Sequence, residues 1–257
     1  MEEAALRPHQ SRYWLTPAPA DPVVFVAQVQ AVCDAYVQAP AFQAQGGHLV
    51  SCDEMTGIQA LERAAPTQSL RPGQVERREF EYIRHGTQCL IANFDVATGQ
   101  VVSPSIGPTR TEADFAAHID RTIATDPDAA WVFVLDNLNT HQSESLVHLV
   151  IARCGLALDP QTLGVKGDSG VLHSMATRAA FLTDPTHRIR FVYTPRHCSW
   201  LNQVEIWFSI LTRKLLRRAS FLSTDDLRDR ILAFIAYFNR TMARPFAWTY
   251  SGRPLAA

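Results

Sequence analysis

Two short runs, His48-Leu49-Val50-Ser51-Cys52 and Trp131-Val132-Phe133-Val134-Leu135, each close on an aspartate, Asp53 and Asp136. The second run is apolar throughout, as a strand must be when both its faces are covered. Helices have to supply that cover, so the runs predict a sheet with helices packed on it. Carboxylates are rarely spent at such positions unless they are paired or bind a cation. A third acid, Glu205, lies in Ser199-Trp200-Leu201-Asn202-Gln203-Val204-Glu205, at the edge of an apolar helical stripe. Brought together, the three make a hard-oxygen site suited to Mg²⁺ or Mn²⁺. Two such ions about 3.5–4 Å apart serve in-line phosphodiester chemistry.

The rest of the pattern supports a mixed sheet. Phe25, Val29, Val32 and Tyr36 at helical spacing predict a helix over Val23–Tyr36, and Gly46-Gly47 breaks the chain before the first strand. After Asp53 a loop with Pro66, Pro72 and Gly73 is expected, then three strands around Arg78–Ile83, Thr87–Asp95 and Gln100–Ser105. The turn Ala97-Thr98-Gly99 makes a hairpin of the last two. Helices are expected over Thr111–Thr125 and Ser143–Cys154, the latter stopped by Gly155. Residues 155–187 read as an insertion with a glycine-rich loop, Gly164–Gly170, and a short helix, Ser174–Leu182. The loop is not a P-loop, because the GxxxxGK[ST] spacing is absent. A strand over Arg188–Tyr193 precedes a helix with Leu201, Val204, Phe208, Leu211 and Leu215 on one face. Ser223 then caps a final helix, Leu227–Asn239.

With 257 residues, 47% hydrophobic and 19% charged, the chain can bury a substantial core. No stretch approaches the roughly 18 apolar residues of a membrane span. Met1-Glu2-Glu3 is acidic where a signal peptide starts basic, so a cytoplasmic protein is expected. Five scattered cysteines without a CxxC argue against a zinc ribbon and a disulfide framework. Between Arg196 and Arg218, five basic residues (Arg196, Arg213, Lys214, Arg217 and Arg218) face the single acid Glu205. Beside a nuclease site such a patch is suited to phosphate contact.

Leu135-Asp136-Asn137-Leu138-Asn139-Thr140-His141 and Ser199-Trp200-Leu201-Asn202-Gln203-Val204-Glu205-Ile206-Trp207-Phe208 resemble the second and third acidic motifs of bacterial insertion-sequence transposases of the "IS six-thirty" family, relatives of the mariner elements. Cys52-Asp53-Glu54-Met55-Thr56-Gly57-Ile58-Gln59-Ala60-Leu61-Glu62-Arg63 is similar to the first. Glu81–Thr87 and Pro245–Thr249 also match, so the resemblance covers nearly the whole chain. It implies a ribonuclease H-like α/β fold, with Asp53, Asp136 and Glu205 as catalytic ligands of two Mg²⁺ or Mn²⁺ ions. It further implies DNA as partner (terminal inverted repeats and target, with a TA target dinucleotide), a homodimer or larger assembly on DNA, and a bacterial, nucleoid-associated setting. In much of the superfamily the second and third acids lie closer, whereas here 68 residues separate them; the 155–187 insertion resembles that of a subgroup. Family members carry an N-terminal helix-turn-helix. This chain starts near the tail of that region, so residues 1–22 are expected to be its connecting remnant and 23–257 the catalytic domain.

Around the triad, Asn202 sits one helical turn before Glu205 and either touches substrate or orders the loop. Asn139 and His141 either orient phosphate or water or serve a structural turn. Glu54 is expected to face away from Asp53 and is left out of the site; Trp200 and Trp207 read as core. A nuclease or resolvase that cuts without joining, and a non-catalytic DNA-binding remnant, are the competing functions.

Overall fold

Every side chain of Trp131–Leu135 is buried, and the strand has a neighbour on each edge. The computed structural model describes residues 21–250. Helix α1 (Pro22–Ala44) leads into strands β1 (His48–Arg63), β2 (Tyr82–Asp95) and β3 (Val101–Gly107). Next come α2 (Glu112–Ile123), β4 (Trp131–Leu135), α3 (Glu144–Cys154), the single turn α4 (Pro160–Leu163), α5 (Met175–Leu182) and β5 (Ile189–Tyr193). Helices α6 (Gln203–Leu211) and α7 (Thr224–Thr241) follow. The connecting segment expected over residues 1–22 lies outside the described residues, apart from Asp21, which caps α1, and Pro22, which begins it.

The sheet order is β3-β2-β1-β4-β5. β1 pairs antiparallel with β2 and β2 with β3, whereas β1, β4 and β5 run parallel. This is the mixed, ribonuclease H-like sheet expected from the sequence. Helices α2, α3 and α5 bury Phe115, Ile119, Leu146, Val147 and Leu182 on one face. On the other, α1 covers Leu49, Val132 and Val134, while α6 and α7 cover Leu90, Ala92 and Phe94. Among the described residues no helix is long and apolar enough to cross a membrane.

Several expected elements keep their caps. Thr111 closes a capping box on α2, Ser143 accepts from the Leu146 N–H at the start of α3, and Gly155 ends α3 at φ 63°. The Asp95 carboxylate accepts from the Ala97 and Thr98 N–H groups, which tightens the expected hairpin.

Several boundaries differ. Helix α1 runs on to Ala44, past the expected end at Tyr36. β1 does not stop at Asp53 but continues to Arg63 against β2; only its pairing with β4 ends nearby, at Ser51. Its second half reads as a loop because Gly57 and Gln59 face solvent; Ile58 and Ala60, which alternate with them, are buried, a two-residue period. The runs expected at Arg78–Ile83 and Thr87–Asp95 become one strand from Tyr82. Between Arg84 and Thr87 the pairing slips, with Gly86 at φ 120°, so an apparent break is a bulge. The helix expected to carry Leu201–Leu215 is shorter than its apolar stripe: a 3₁₀ turn holds Ser199–Leu201, α6 begins at Gln203, and a π turn takes Thr212–Leu216.

Candidate active site

The parallel ladder of β1 and β4 pairs Ser51 with Val134. Two residues further on, within β1 and just past the end of β4, stand Asp53 and Asp136, so the topology sets the two aspartates side by side where the strands part. Ligands of open α/β sheets collect at such carboxyl ends. Asp53 is buried, with one oxygen accepting from the Glu54 N–H at 2.8 Å and the other from the Asn202 side-chain amide at 3.3 Å. Burial, and then the charge of Asp136, push Asp53 up to about 7. Asp136 is half-buried, and its Oδ1 accepts from the Leu138 N–H at 2.9 Å and faces His141 Nδ1 at 2.7 Å. Burial alone would raise Asp136; the His141 hydrogen bond and charge outweigh it and hold the carboxyl below its usual value.

Glu205 reaches the site from α6. That helix is fixed by Asn202, fully buried at its N-cap, whose amide donates to the Cys52 carbonyl at 2.9 Å and whose oxygen accepts from the Ser51 hydroxyl. The Ser51 hydroxyl also accepts from the Val204 N–H, and the Tyr36 hydroxyl donates to the Leu201 carbonyl. Of its two expected roles, Asn202 has the ordering one. Glu205 is half-buried in the first turn of α6, and burial with the charge of Asp136 raises its pKa. Among the described residues neither Asp53 nor Glu205 has a cationic partner. Nor do three His, Cys, Asp or Glu side chains there close into a ready metal cage. Two aspartates side by side and a third acid that senses the charge of Asp136 are nonetheless a donor set that a hard cation fits, because a cation offsets both the burial and the repulsion that raise Asp53 and Glu205.

His141 and Glu54 are the main addition. The His141 ring is fully buried on Phe115, with its second nitrogen 3.0 Å from Glu54 Oε2. Burial opposes its charge, but hydrogen bonds to Asp136 and Glu54 raise it to about 9. Glu54 does face away from Asp53, yet His141 links it to Asp136, so it belongs to the support of the site. A second acid beside Asp53 in a buried strand was the available signal. His141 is thus a support of Asp136, and Asn139, exposed on the same 3₁₀ turn, is free of that packing. Arg110, which no motif marked, lies near enough to help lower Asp136.

Past Glu205, Arg213, Lys214, Arg217 and Arg218 are all exposed on and after the π turn. Arg213, Lys214 and Arg218 line one surface hollow, and Arg213, Arg217 and Arg218 line a second together with Arg78. Arg196 is exposed on the loop after β5. Trp207 is core, as expected, but Trp200 is 52% exposed, because it sits on the 3₁₀ turn before α6 and only edges against Tyr250.

Residues 48–228 match the family model described as DDE superfamily endonuclease. No curated protein matches the chain. Among solved structures, the chain is similar to the Mos1 mariner paired end complex with Mn, at TM-score 0.51 and 12% identity over 88% of this chain. It is also similar to a pre-cleavage Mos1 transpososome, at TM-score 0.50 and 11% identity over 88% of this chain. The chain spans 59% of the length of the matched chain in each.

Proposed function

This chain belongs to the DDE superfamily endonucleases, and from that premise we propose that it is the catalytic domain of a DNA transposase of the bacterial "IS six-thirty" type. The observation that carries this reading is the register that sets Asp53 beside Asp136 at the parting of β1 and β4. Asp53, Asp136 and Glu205 are its catalytic acids and hold two Mg²⁺ or Mn²⁺ ions. When bound, such ions polarise a phosphate and stabilise the charge that develops in in-line displacement. The Mos1 paired end complex and pre-cleavage transpososome share this fold, which supports a like use of it here.

The chain's own residues do the placing. Asn202 fixes Asp53 and the start of α6, and thereby the position of Glu205. His141 fixes one oxygen of Asp136 and leaves the other to face the site. Arg213, Lys214, Arg217 and Arg218, with Arg196, contact DNA phosphates; Arg213 lies two helical turns beyond Glu205, about 12 Å along the axis. In the first step water attacks a phosphodiester at an element's terminal repeat, the P–O3′ bond breaks, and a 3′-hydroxyl is freed. In the second, that hydroxyl attacks a target phosphodiester, forming one P–O bond and breaking another. At least two copies act on paired ends.

The test is a joining assay on purified protein, with a pre-cut oligonucleotide ending in a 3′-hydroxyl and a supercoiled plasmid, in Mg²⁺, Mn²⁺ or EDTA. Metal-dependent joining that Asp136→Asn abolishes is the expected result. Nicking without joining would replace the transposase by a plain nuclease, and no reaction in any metal would remove the catalytic reading.

A further inference from the structure

The insertion between α3 and β5 has no part in the acid triad, yet it delivers a buried cation to the back of the site. Arg178, in the middle of α5, is 8% exposed, and among the described residues it has no carboxylate partner. Its Nε donates to the Gln142 carbonyl at 2.6 Å and its Nη1 to the Leu172 carbonyl at 3.0 Å. Burying a guanidinium against neutral carbonyls is costly, so the position calls for a purpose.

Gln142 ends the 3₁₀ turn that begins at Asn139 and carries His141. The carbonyls at such an end have no partner within the turn. Here two successive ones are taken from outside: the Tyr193 hydroxyl of β5 donates to the His141 carbonyl at 2.7 Å, and Arg178 donates to that of Gln142. The Gln142 side chain donates in turn to Asn137 Oδ1 at 3.0 Å, next to Asp136. The backbone behind His141 is therefore held from both sides, while its ring is aimed at Asp136.

The other end of the guanidinium holds a loop built to be stiff. Gly164 and Gly170 both have positive φ, and a Cβ on either would meet backbone at 2.0–2.5 Å. That close approach sets Leu172, whose N–H bonds to the Leu163 carbonyl and whose side chain is buried against the sheet. Lys166, on the same loop, lies 3.5 Å from Glu112 and 3.4 Å from Glu144, at the first turns of α2 and α3.

We infer that the 155–187 insertion is a brace for the catalytic acids, with Arg178 as a positioning residue that acts on Asp136 through Gln142 and His141. This deepens the metal-dependent reading above and rests on it for its last link. Two measurements on the full chain separate the links: amide hydrogen exchange without metal, and Mn²⁺ binding by calorimetry. In Arg178→Met the His141 amide, bonded to the Leu138 carbonyl, exchanges at least tenfold faster while the β4 amides keep their protection. Mn²⁺ affinity falls about tenfold, the lower end of what losing an outer support of a metal ligand does. Arg178→Lys, which keeps the charge but spans one carbonyl instead of two, changes both in the same direction by less, and it carries the test if the methionine variant does not fold. Unchanged exchange in a folded variant overturns the brace. Faster exchange with unchanged Mn²⁺ affinity overturns its action on Asp136. A wild-type chain that binds no Mn²⁺ overturns the metal reading, and with it the last link, while the exchange result still decides the brace.

Discussion

The side-chain amide of Asn202 lies 3.3 Å from Asp53 Oδ2 and 2.9 Å from the Cys52 carbonyl, which ties the first turn of α6 to the acid on β1. Asn202→Ala leaves the Ser51 hydroxyl and the Cys52 carbonyl buried without this partner, at a cost of about 2–3 kcal/mol in urea unfolding. Asn202→Asp is expected to be worse, because it sets a second carboxylate against Asp53 and a carbonyl. If the aspartate variant were the more stable of the two, the amide would not be donating to Asp53.

His141 bridges the half-buried Asp136 and Glu54, whose side chain is only 1% exposed. His141→Leu strands that charge, and breaking a buried pair from one side costs about 3–5 kcal/mol. Replacing both partners, in His141→Leu with Glu54→Met, is expected to recover most of the stability, since paired burial is close to neutral against apolar packing. Activity should stay at least tenfold down in both, because Asp136 has lost its support. Recovery of activity with stability would make the pair merely structural.

How much of this was legible in the chain differs from residue to residue. Asp136 could be placed because β4 is apolar at all five positions and ends abruptly, which only a covered strand does. Asp53 is legible as a strand acid, but the length of its strand is not. The sequence after it alternates buried and exposed with small and polar residues, a pattern that a loop shares. Asn202 and His141 stand out in the sequence without a fixed role, since that role depends on partners 87–151 positions away. Arg178 carried no signal at all: an arginine in a short helix reads as solvated until tertiary packing buries it.

His118 gives a pH dependence away from the acids. Its ring is fully buried, 2.8 Å from the Asn93 amide and 2.6 Å from the Ser105 hydroxyl, and burial, helped by the Arg121 charge, pushes it down to about 3. The unfolded chain takes up this proton near 6.5 and the folded chain only near 3. Stability from this group is therefore complete above 6.5 and is lost as pH falls through that window, by up to about 1.4 kcal/mol per unit. The raised Asp53 works the other way, so the comparison must be with His118→Gln. The variant's unfolding midpoint should fall less steeply from pH 7 to pH 4.5 than the wild type's; parallel curves would exclude His118 as the source.

Gly164 is at φ 72°, with the Ser169 carbonyl 2.0 Å from where a Cβ would be. Gly164→Ala therefore opens the loop at Leu172 and is expected to cost more than the roughly 1 kcal/mol of an ordinary glycine replacement. Gly167→Ala, at φ 81° with nothing within 4 Å, carries the backbone strain alone and should cost less. Equal melting temperatures for the two variants would mean that the close approach is not maintained in solution.

The basic side chains after α6 predict a salt dependence. All four are exposed and Arg213 lines both hollows, so the contacts to DNA proposed for them are expected to be with phosphates and to carry no sequence information. Each phosphate contact contributes about 0.9 to the slope of log affinity against log salt. Arg213→Ala with Lys214→Ala should reduce that slope by about 1.8, weaken specific and random duplexes alike, and leave folding intact. Arg196→Ala should remove about half as much, because it is a single contact on a separate loop. The measurement is fluorescence anisotropy of a labelled duplex between 50 and 200 mM salt, a range over which phosphate-dominated binding falls by orders of magnitude. An unchanged slope would return the patch to an ordinary solvated face, and a loss confined to one sequence would make it a reader of bases instead.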